Sequence, residues 1–444
     1  MQIDLEPYKG TELAMSLAID ISKVKLEESA PDNKVELINN TIERVMDSSS
    51  FYKELKGLRK ISSLEDIKNI PFTTRNDIKV NSPHGIRSSS MKDVVRYGQS
   101  NGTNGAYSSG FVTGSDWIEN SSILYMGFSQ VFSKSDIIMI AAPYELSFVA
   151  ADFDRVAEII GATTISVSSN HTKAEWMRIL GIMSNVKVSV FASAATRILR
   201  LGLLAQEMGY DLKKDFNLKK VICVGELLSE TKKKIIEDMW GCKVFITYGM
   251  TEATSVASPC KNGKLHLCEC RYFFEIINPK TGEDVEDGEL GELVLTSYNS
   301  YAMPLIRFRT GDMVKVDKTK DDCFLNYKRI IHFGRIDDYY LLNGNKVYTY
   351  DIEEIILSTN GISPLFHVSL EDNQLFINIF PLDSRDFNFI SDKISKSFKK
   401  QYEIEPIIDL LDKERFLEEI DNKTKPGNVY FERGAKNENS SLSK

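Results

Sequence analysis

Between positions 137 and about 250, short apolar runs alternate with longer amphipathic stretches. The runs "IIMIAA", "TTISVS", "VSVFAS", "KVICVG" and "KVFITYG" have strand length and are rich in β-branched residues. Between them, "AEWMRILGIMSN" and "SETKKKIIEDMWG" carry a helical period. The alternation predicts βαβ units and a mostly parallel sheet, with ligand sites at the carboxyl ends of the strands. Upstream, "VELINNTIERVMDSSSFYKEL" places Val35, Leu37, Ile38, Ile42 and Val45 near one helical face. "SSLEDIKNIPFTTRNDIK" adds a helix start at Ser63 and Glu65 and a break at Pro71. From 272 to 333 the pattern turns to β, with turn signals at Pro279–Gly282 and at Asp287-Gly288. Beyond "GRIDD" (334–338) lies a smaller α+β region. It contains "DIEEIILSTNG", a helix ended by Gly361, then "FHVSL", "QLFINIF" and the helical "ISDKISKSFKKQY".

The bulk numbers narrow the function classes. The 444 residues are 42% hydrophobic and 27% charged, an ordinary globular balance for a chain of two or three domains. A net charge of −8 argues against a nucleic-acid partner, which favours a basic surface. The most apolar segment, "DIIMIAAPYELSFVAADF", is interrupted by Pro143 and Glu145 and is not expected to enter a membrane. The first residues lack the basic region and apolar run of a secretory signal. Six cysteines in so long a chain make no disulfide framework. The expectation is a reduced, cytoplasmic protein, with a homodimer as the base-rate oligomer.

Four stretches carry candidate chemistry. "SNGTNGAYSSG" (100–110) is glycine-spaced and hydroxyl-rich, and it has no lysine or arginine. Gly102 and Gly105 permit close backbone approach, Ser100, Thr103 and Ser108 add hydroxyls, and successive N–H groups can nest an anion without side-chain charge. It lacks the Gly-Lys-Ser/Thr ending of a Walker loop, and alone it is more simply a surface turn. In "TYGMTEATS" (247–255), Tyr248 and Glu252 follow a strand's carboxyl end; Tyr248 offers a flat face and Glu252 a hard oxygen suited to Mg²⁺. "RFRTGDMVKV" (307–316) places Asp312 after a glycine, either in a hairpin turn or where it can accept hydrogen bonds from ribose hydroxyls. "GRIDDYYLLNGNKVYTYDIEE" (334–354) combines Arg335, an Asp pair and a turn at Gly344. Arg335 suits bidentate capture of a phosphate or carboxylate. A fifth group is Cys260, His266, Cys268, Cys270 and Cys323. On a strand, His266, Cys268 and Cys270 of "HLCEC" would share one face, and two of them could join Cys260 and Cys323 around a tetrahedral Zn²⁺. The alternative is a set of reduced cysteines in a half-buried β region.

The order and spacing of "SNGTNG", "VGE", "YGMTEA", "MPLIRFRTGD" and "GRIDDYYLLNGNKV" resemble the adenylate-forming superfamily of acyl-CoA synthetases, peptide-synthetase adenylation domains and luciferases. Within it, the resemblance is to the phenylacetate–CoA ligase group, whose N-terminal region is also similar to "FYKEL" and "DIKNIPFTTRNDIK". The likeness covers roughly residues 35–435. It implies an α/β fold: a large N-terminal domain with mixed sheets and a β subdomain at 1–333, a hinge at 334–338, a small mobile C-terminal α+β lid at 339–434, and a disordered tail at 435–444. It implies an AMP-forming acid–thiol ligase. A carboxylate attacks the α-phosphate of ATP to give acyl-AMP and pyrophosphate, and a thiol, usually of CoA, then displaces AMP.

By matching position, the resemblance assigns Ser100, Gly102, Thr103 and Gly105 to the β/γ-phosphates and Gly225, Glu226 and Tyr248 to the adenine. Thr251 is assigned to the α-phosphate, Glu252 to Mg²⁺, Asp312 to the ribose and Arg335 to the same nucleotide. Asp337 matches the hinge, Gly344 the pantetheine tunnel, and Tyr144 and Phe148 the acyl pocket, for an aryl or arylacetic acid. Relatives in the group carry a Cys/His zinc site with ligands resembling Cys260 and His266 and a later Cys pair, of which Cys323 is present here. Two departures stand out. The phosphate loop continues Gly105-Ala106-Tyr107 where the family has Gly-Lys-Pro. In "KTKPGNVYFERG", Asn428 follows Gly427 where the family has the lysine that contacts the carboxylate and α-phosphate, and Lys425 or Lys423 is the available substitute. Loss of such a charge costs on the order of 10²–10³ in rate. Two alternatives therefore stand beside a CoA ligase: a biosynthetic relative passing the acyl group to a carrier-protein phosphopantetheine or an amine, and a catalytically weakened nucleotide-binding relative.

Overall fold

The computed structural model describes residues 29–100, 107–298, 300–319, 322–323, 325–422, 427 and 430–431. Helices α1 (Lys34–Ser48), α2 (Ser50–Glu54) and α3 (Arg75–Val80) precede the hairpin of β1 (Val94–Gln99) and β2 (Ser109–Thr113), and α4 (Gly114–Phe128) follows directly. The alternating region is β3 (Ile137–Ala141), α5 (Val149–Ile160), β4 (Thr163–Ser166), α6 (Lys173–Val186), β5 (Val190–Ser193), α7 (Ala195–Glu207), β6 (Lys220–Cys223), α8 (Glu230–Trp240) and β7 (Lys243–Ile246). The β region comprises β8 (Tyr248–Met250), β9 (Thr254–Pro259), β10 (Leu265–Leu267), β11 (Tyr272–Ile277), β12 (Leu290–Ser297), β13 (Phe308–Val316) and β14 (Arg329–Arg335). The last part holds β15 (Tyr339–Leu342), β16 (Asn345–Tyr348), α9 (Thr349–Leu357), β17 (Ile362–Glu371), β18 (Gln374–Pro381), α10 (Phe387–Tyr402), β19 (Ile407–Leu410) and α11 (Lys413–Asp421).

Local chemistry explains the boundaries. Thr172 and Glu175 close a capping box at the start of α6, and Ser229 caps α8. Of the face expected from Val35, Leu37, Ile38, Ile42 and Val45, the last three are fully buried in α1 and Val35 and Leu37 only partly. The start expected at Ser63 gives only a 3₁₀ turn, Leu64–Asn69, closed by Asp66 rather than Glu65. Pro71 lies just beyond it, so the helix has no room to lengthen.

The chain falls into two compact units. The first takes residues up to 168, 188–192 and 245–336. In it β3 and β4 pair in parallel, as the βαβ pattern requires. Its β region is a seven-stranded sheet of order β11-β12-β13-β14-β10-β9-β8. Leu293, Leu295 and Phe308 of that sheet share a core with Ile38, Ile42 and Val45. The second unit takes residues 169–187, 193–244 and those from 337 onward. In it β15 and β16 form a hairpin, and β17-β18-β19 form a three-stranded sheet in which β18 and β19 are parallel. Leu203 of α7 and Ile235 of α8 pack against the core of that α+β part. Among the described residues, no helix is long and apolar enough to cross a membrane.

Candidate active site

In the first unit, two carboxylates meet around one arginine. Thr74 and Asp77 close a capping box, with the Asp77 carboxylate accepting from Thr74 N at 2.7 Å, and so fix the start of α3. Arg75, its first residue, donates from Nε to the Thr310 carbonyl at 2.7 Å. Its guanidinium then lies 3.6 Å from Asp312 and 3.9 Å from Glu252. Nothing in the sequence singled out Arg75, although it stands inside "PFTTRNDIK".

Asp312 sits within β13, opposite Arg335 on antiparallel β14, and not at a hairpin tip. Cross-strand register brings Arg335 Nη1 to 3.9 Å and His332 Nε2 to 3.6 Å, and Tyr248 Oη donates to Asp312 at 2.7 Å. Burial opposes ionisation of Asp312, but His332, Arg335 and Arg75 outweigh it and hold the carboxyl below its usual range. Burial and the adjacent Asp312 charge push the Tyr248 phenol far up, so it stays a neutral donor. Its ring lies 4.9 Å from the His332 ring.

Glu252 is 4% exposed, and its Oε1 is buried without a hydrogen-bond partner. An unpaired carboxylate oxygen is costly to bury. A hard cation with oxygen ligands would complete it, so the residue fits the Mg²⁺ role.

The β1–β2 hairpin is closed at its base by reciprocal bonds: Ser100 N donates to the Ser108 carbonyl at 2.8 Å, and Ser108 N to Ser100 Oγ at 3.0 Å. The candidate residues Gly102, Thr103, Gly105 and Ala106 lie outside the described residues. Gly98 and Gly110 are register partners, and the buried Phe148 ring lies over both. A Cβ on Gly98 would stand 2.7 Å from Phe148, and one on Gly110 would overlap the Thr251 carbonyl. The hairpin thus brings Phe148 and Thr251 to the same pair of glycines. Tyr144 is placed differently: its hydroxyl donates to Asp154 at 2.6 Å, leaving only the ring for a ligand. Gly110→Ala is expected to cost about 1–3 kcal/mol of stability through overpacking and to displace Thr251. Thermal unfolding checks it, and an unchanged Tm would refute the close approach.

A family model described as AMP-binding enzyme matches residues 118–303. The phenylacetate–coenzyme A ligase of Pseudomonas putida is 27% identical over 319 residues, covering 70% of this chain and 71% of that protein. The enzyme of the same name from Escherichia coli is 28% identical over 317 residues, covering 70% of each. These similarities support the adenylate-forming superfamily and, within it, the phenylacetate–CoA ligase group. The fold agrees: a 2-hydroxyisobutyryl-CoA ligase, solved in the postadenylation state with 2-HIB-AMP, superposes with a TM-score of 0.76 at 17% identity over 85% of each chain.

The remaining described candidates lie in the second unit. Glu226 is held by Thr196 and Lys232, so its side chain is already engaged. Gly225 precedes it with φ 69°. Gly344 and Asn343 form the two-residue turn between β15 and β16, the Asn-Gly pairing that such hairpins favour. Asp337 is the first residue of the unit after Ile336. Lys423, Lys425 and Asn428 lie outside the described residues.

The cysteine group needs a correction. Cys260, His266 and Cys323 bring their ligand atoms within 4.8 Å of one another, but Cys268 is not among them. β10 stops at Leu267 and the chain turns, with Arg271 N donating to the Cys268 carbonyl. The alternation that would return Cys268 to the face of His266 is lost, and Cys268 enters the hydrophobic core. His266 Nδ1 lies 3.2 Å from the Tyr327 carbonyl, while its buried Nε2 has no hydrogen-bond partner. That is the arrangement of a ring oriented for a metal. Burial opposes a thiolate at Cys260, but His266 and nearby backbone N–H groups bring its pKa down to about 7.

Proposed function

We propose that this protein is an ATP-dependent ligase that activates an aryl or arylacetic acid as its acyl-adenylate and transfers the acyl group to the thiol of CoA. The observation that carries this reading is the buried Glu252 carboxylate, whose Oε1 has no hydrogen bond and only a 3.9 Å ion pair to Arg75, beside Asp312 and Arg335, in a chain similar to the phenylacetate–CoA ligases. The substrate carboxylate oxygen bonds to the α-phosphorus as the α–β anhydride bond breaks and pyrophosphate leaves. The thiol sulfur then bonds to the acyl carbon as the C–O bond to AMP breaks, and the thiol proton passes to solvent.

No side-chain nucleophile is required; the site supplies position and charge. Asp312, kept ionised by its cations, accepts from the ribose hydroxyls. Tyr248 offers its ring, and the resemblance gives the adenine to Gly225 and Glu226 as well. Ser100 anchors the base of the phosphate loop, Thr251 meets the α-phosphate, and Arg75 and Arg335 balance negative charge. Phe148 bounds the acyl pocket. Glu252 would hold Mg²⁺, which when bound offsets charge on the phosphates. Asp337 is assigned to the hinge and Gly344 to the pantetheine path. A pyrophosphate-release assay over a panel of aromatic and aliphatic acids, with and without CoA, tests the reading. Release for no acid sinks it, and release with transfer only to a carrier-protein thiol or an amine replaces CoA as acceptor.

Cys260, His266 and Cys323 are assigned to a structural Zn²⁺, with a fourth ligand completing the tetrahedron. Protein purified without added metal is expected to hold about one zinc per chain, and Cys260→Ala is expected to lose it. Plasma emission spectroscopy showing no stoichiometric zinc would remove the assignment.

A further inference from the structure

In "SETKKKIIED", Lys232, Lys233 and Lys234 look alike, yet Lys232 is 1% exposed. It occupies the first turn of α8, where the helix dipole disfavours a cation. Two carboxylates compensate: Glu226 at 3.0 Å, from the turn after β6, and Glu353 at 3.2 Å, from α9. Each carboxylate also sits on a helix N-terminus. Thr196 N in α7 donates to Glu226 at 3.0 Å, and Ser229 N at the cap of α8 donates to Glu353 at 3.2 Å. The ring of Tyr430 lies 4.8 Å from the ammonium. Gly427 rests on Glu226 so closely that a Cβ there would stand 2.6 Å from the Glu226 carboxyl carbon.

We propose that Lys232 is a positioning residue for nucleotide binding: it fixes Glu226, and through it holds the Gly225–Glu226 turn and the Gly427 segment in one arrangement. The role of that turn rests on the adenylation reading. The ammonium lies between the two carboxylates, which without it would keep only their N–H and hydroxyl donors and stand as two buried like charges. Repulsion would then turn Glu226 away from Thr196, and the seat of Gly427 would open. Lys232, with its charge taken up by two carboxylates, thereby sets the place of Gly427 against Glu226 and of the Tyr430 ring.

The test compares Lys232→Met with the double variant Lys232→Met/Glu353→Gln. The double variant relieves the repulsion but leaves Glu226 without its cation. Lys232→Met is expected to lower Tm and to raise the KM for ATP by about tenfold to a hundredfold, with a smaller change in kcat. The double variant is expected to regain most of the Tm while its KM stays raised. Hydrogen exchange without nucleotide should quicken at residues 224–228 and 427–431 in both. A double variant that recovers Tm and KM together makes Lys232 merely structural and overturns the proposal. Unchanged exchange in both segments also overturns it, whatever the activity. Loss of the adenylation reading would show separately, as wild-type protein without acid-dependent exchange.

Discussion

Glu252→Gln is expected to lower acid-dependent ATP–pyrophosphate exchange by about 10²–10³-fold while leaving the protein folded. The substitution keeps the shape of a side chain that is 4% exposed and removes only its charge. In the absence of a ligand that charge is a burden, since Oε1 has no hydrogen bond and Arg75 stands 3.9 Å away. Replacing it with a neutral amide should leave Tm unchanged or raise it slightly. Activity falling as stability holds is the signature of a group kept for a ligand. Exchange at the wild-type rate would remove Glu252 from the site, and a large fall in Tm would recast it as structural.

Asp312→Asn is expected to lose both activity and stability. The carboxylate is 5% exposed and faces Arg75, His332 and Arg335. Taking away one partner of a buried charge cluster costs about 3–5 kcal/mol, because cations are left without their anion. The pH dependence identifies the cause. The folded pKa of Asp312 lies below its ordinary value, so its contribution is present above the unfolded pKa and is lost as pH falls through the folded one. The Tm gap between wild type and Asp312→Asn should be full near neutrality and close below about pH 4, the ordinary aspartate range. A gap that persists in acid would mean that shape, not charge, is what Asp312 supplies.

The strands and helices of 137–250 were legible because strand and helix periods alternate cleanly there, and the ordered glycine, tyrosine and acid stretches pointed to the family. Side-chain destinations were less legible. Of the two readings of Gly311-Asp312, the hairpin tip fails: Asp312 lies within β13, at a register shift, and pairs with Arg335. Arg75 went unnoticed because its anchor, Thr310, is 235 positions away. Cys268 was misplaced because a strand three residues long ends one residue before it. The Tyr144 hydroxyl is taken by Asp154 of α5, ten residues on, a partner the sequence does not mark. Lys232 is one of three consecutive lysines, and only the fold separates it from the other two.

The Cys260–His266–Cys323 group has a consequence for handling the protein. Cys260 and Cys323 hold their sulfurs within 4.8 Å, and the Cys260 thiol, with a pKa of about 7, is largely ionised in slightly alkaline buffer. A thiolate close to a second thiol is the partner that oxidants convert first. If the zinc proposed above occupies this site, removing it in air is expected to favour a Cys260–Cys323 disulfide, which a reductant would have to open before metal could return.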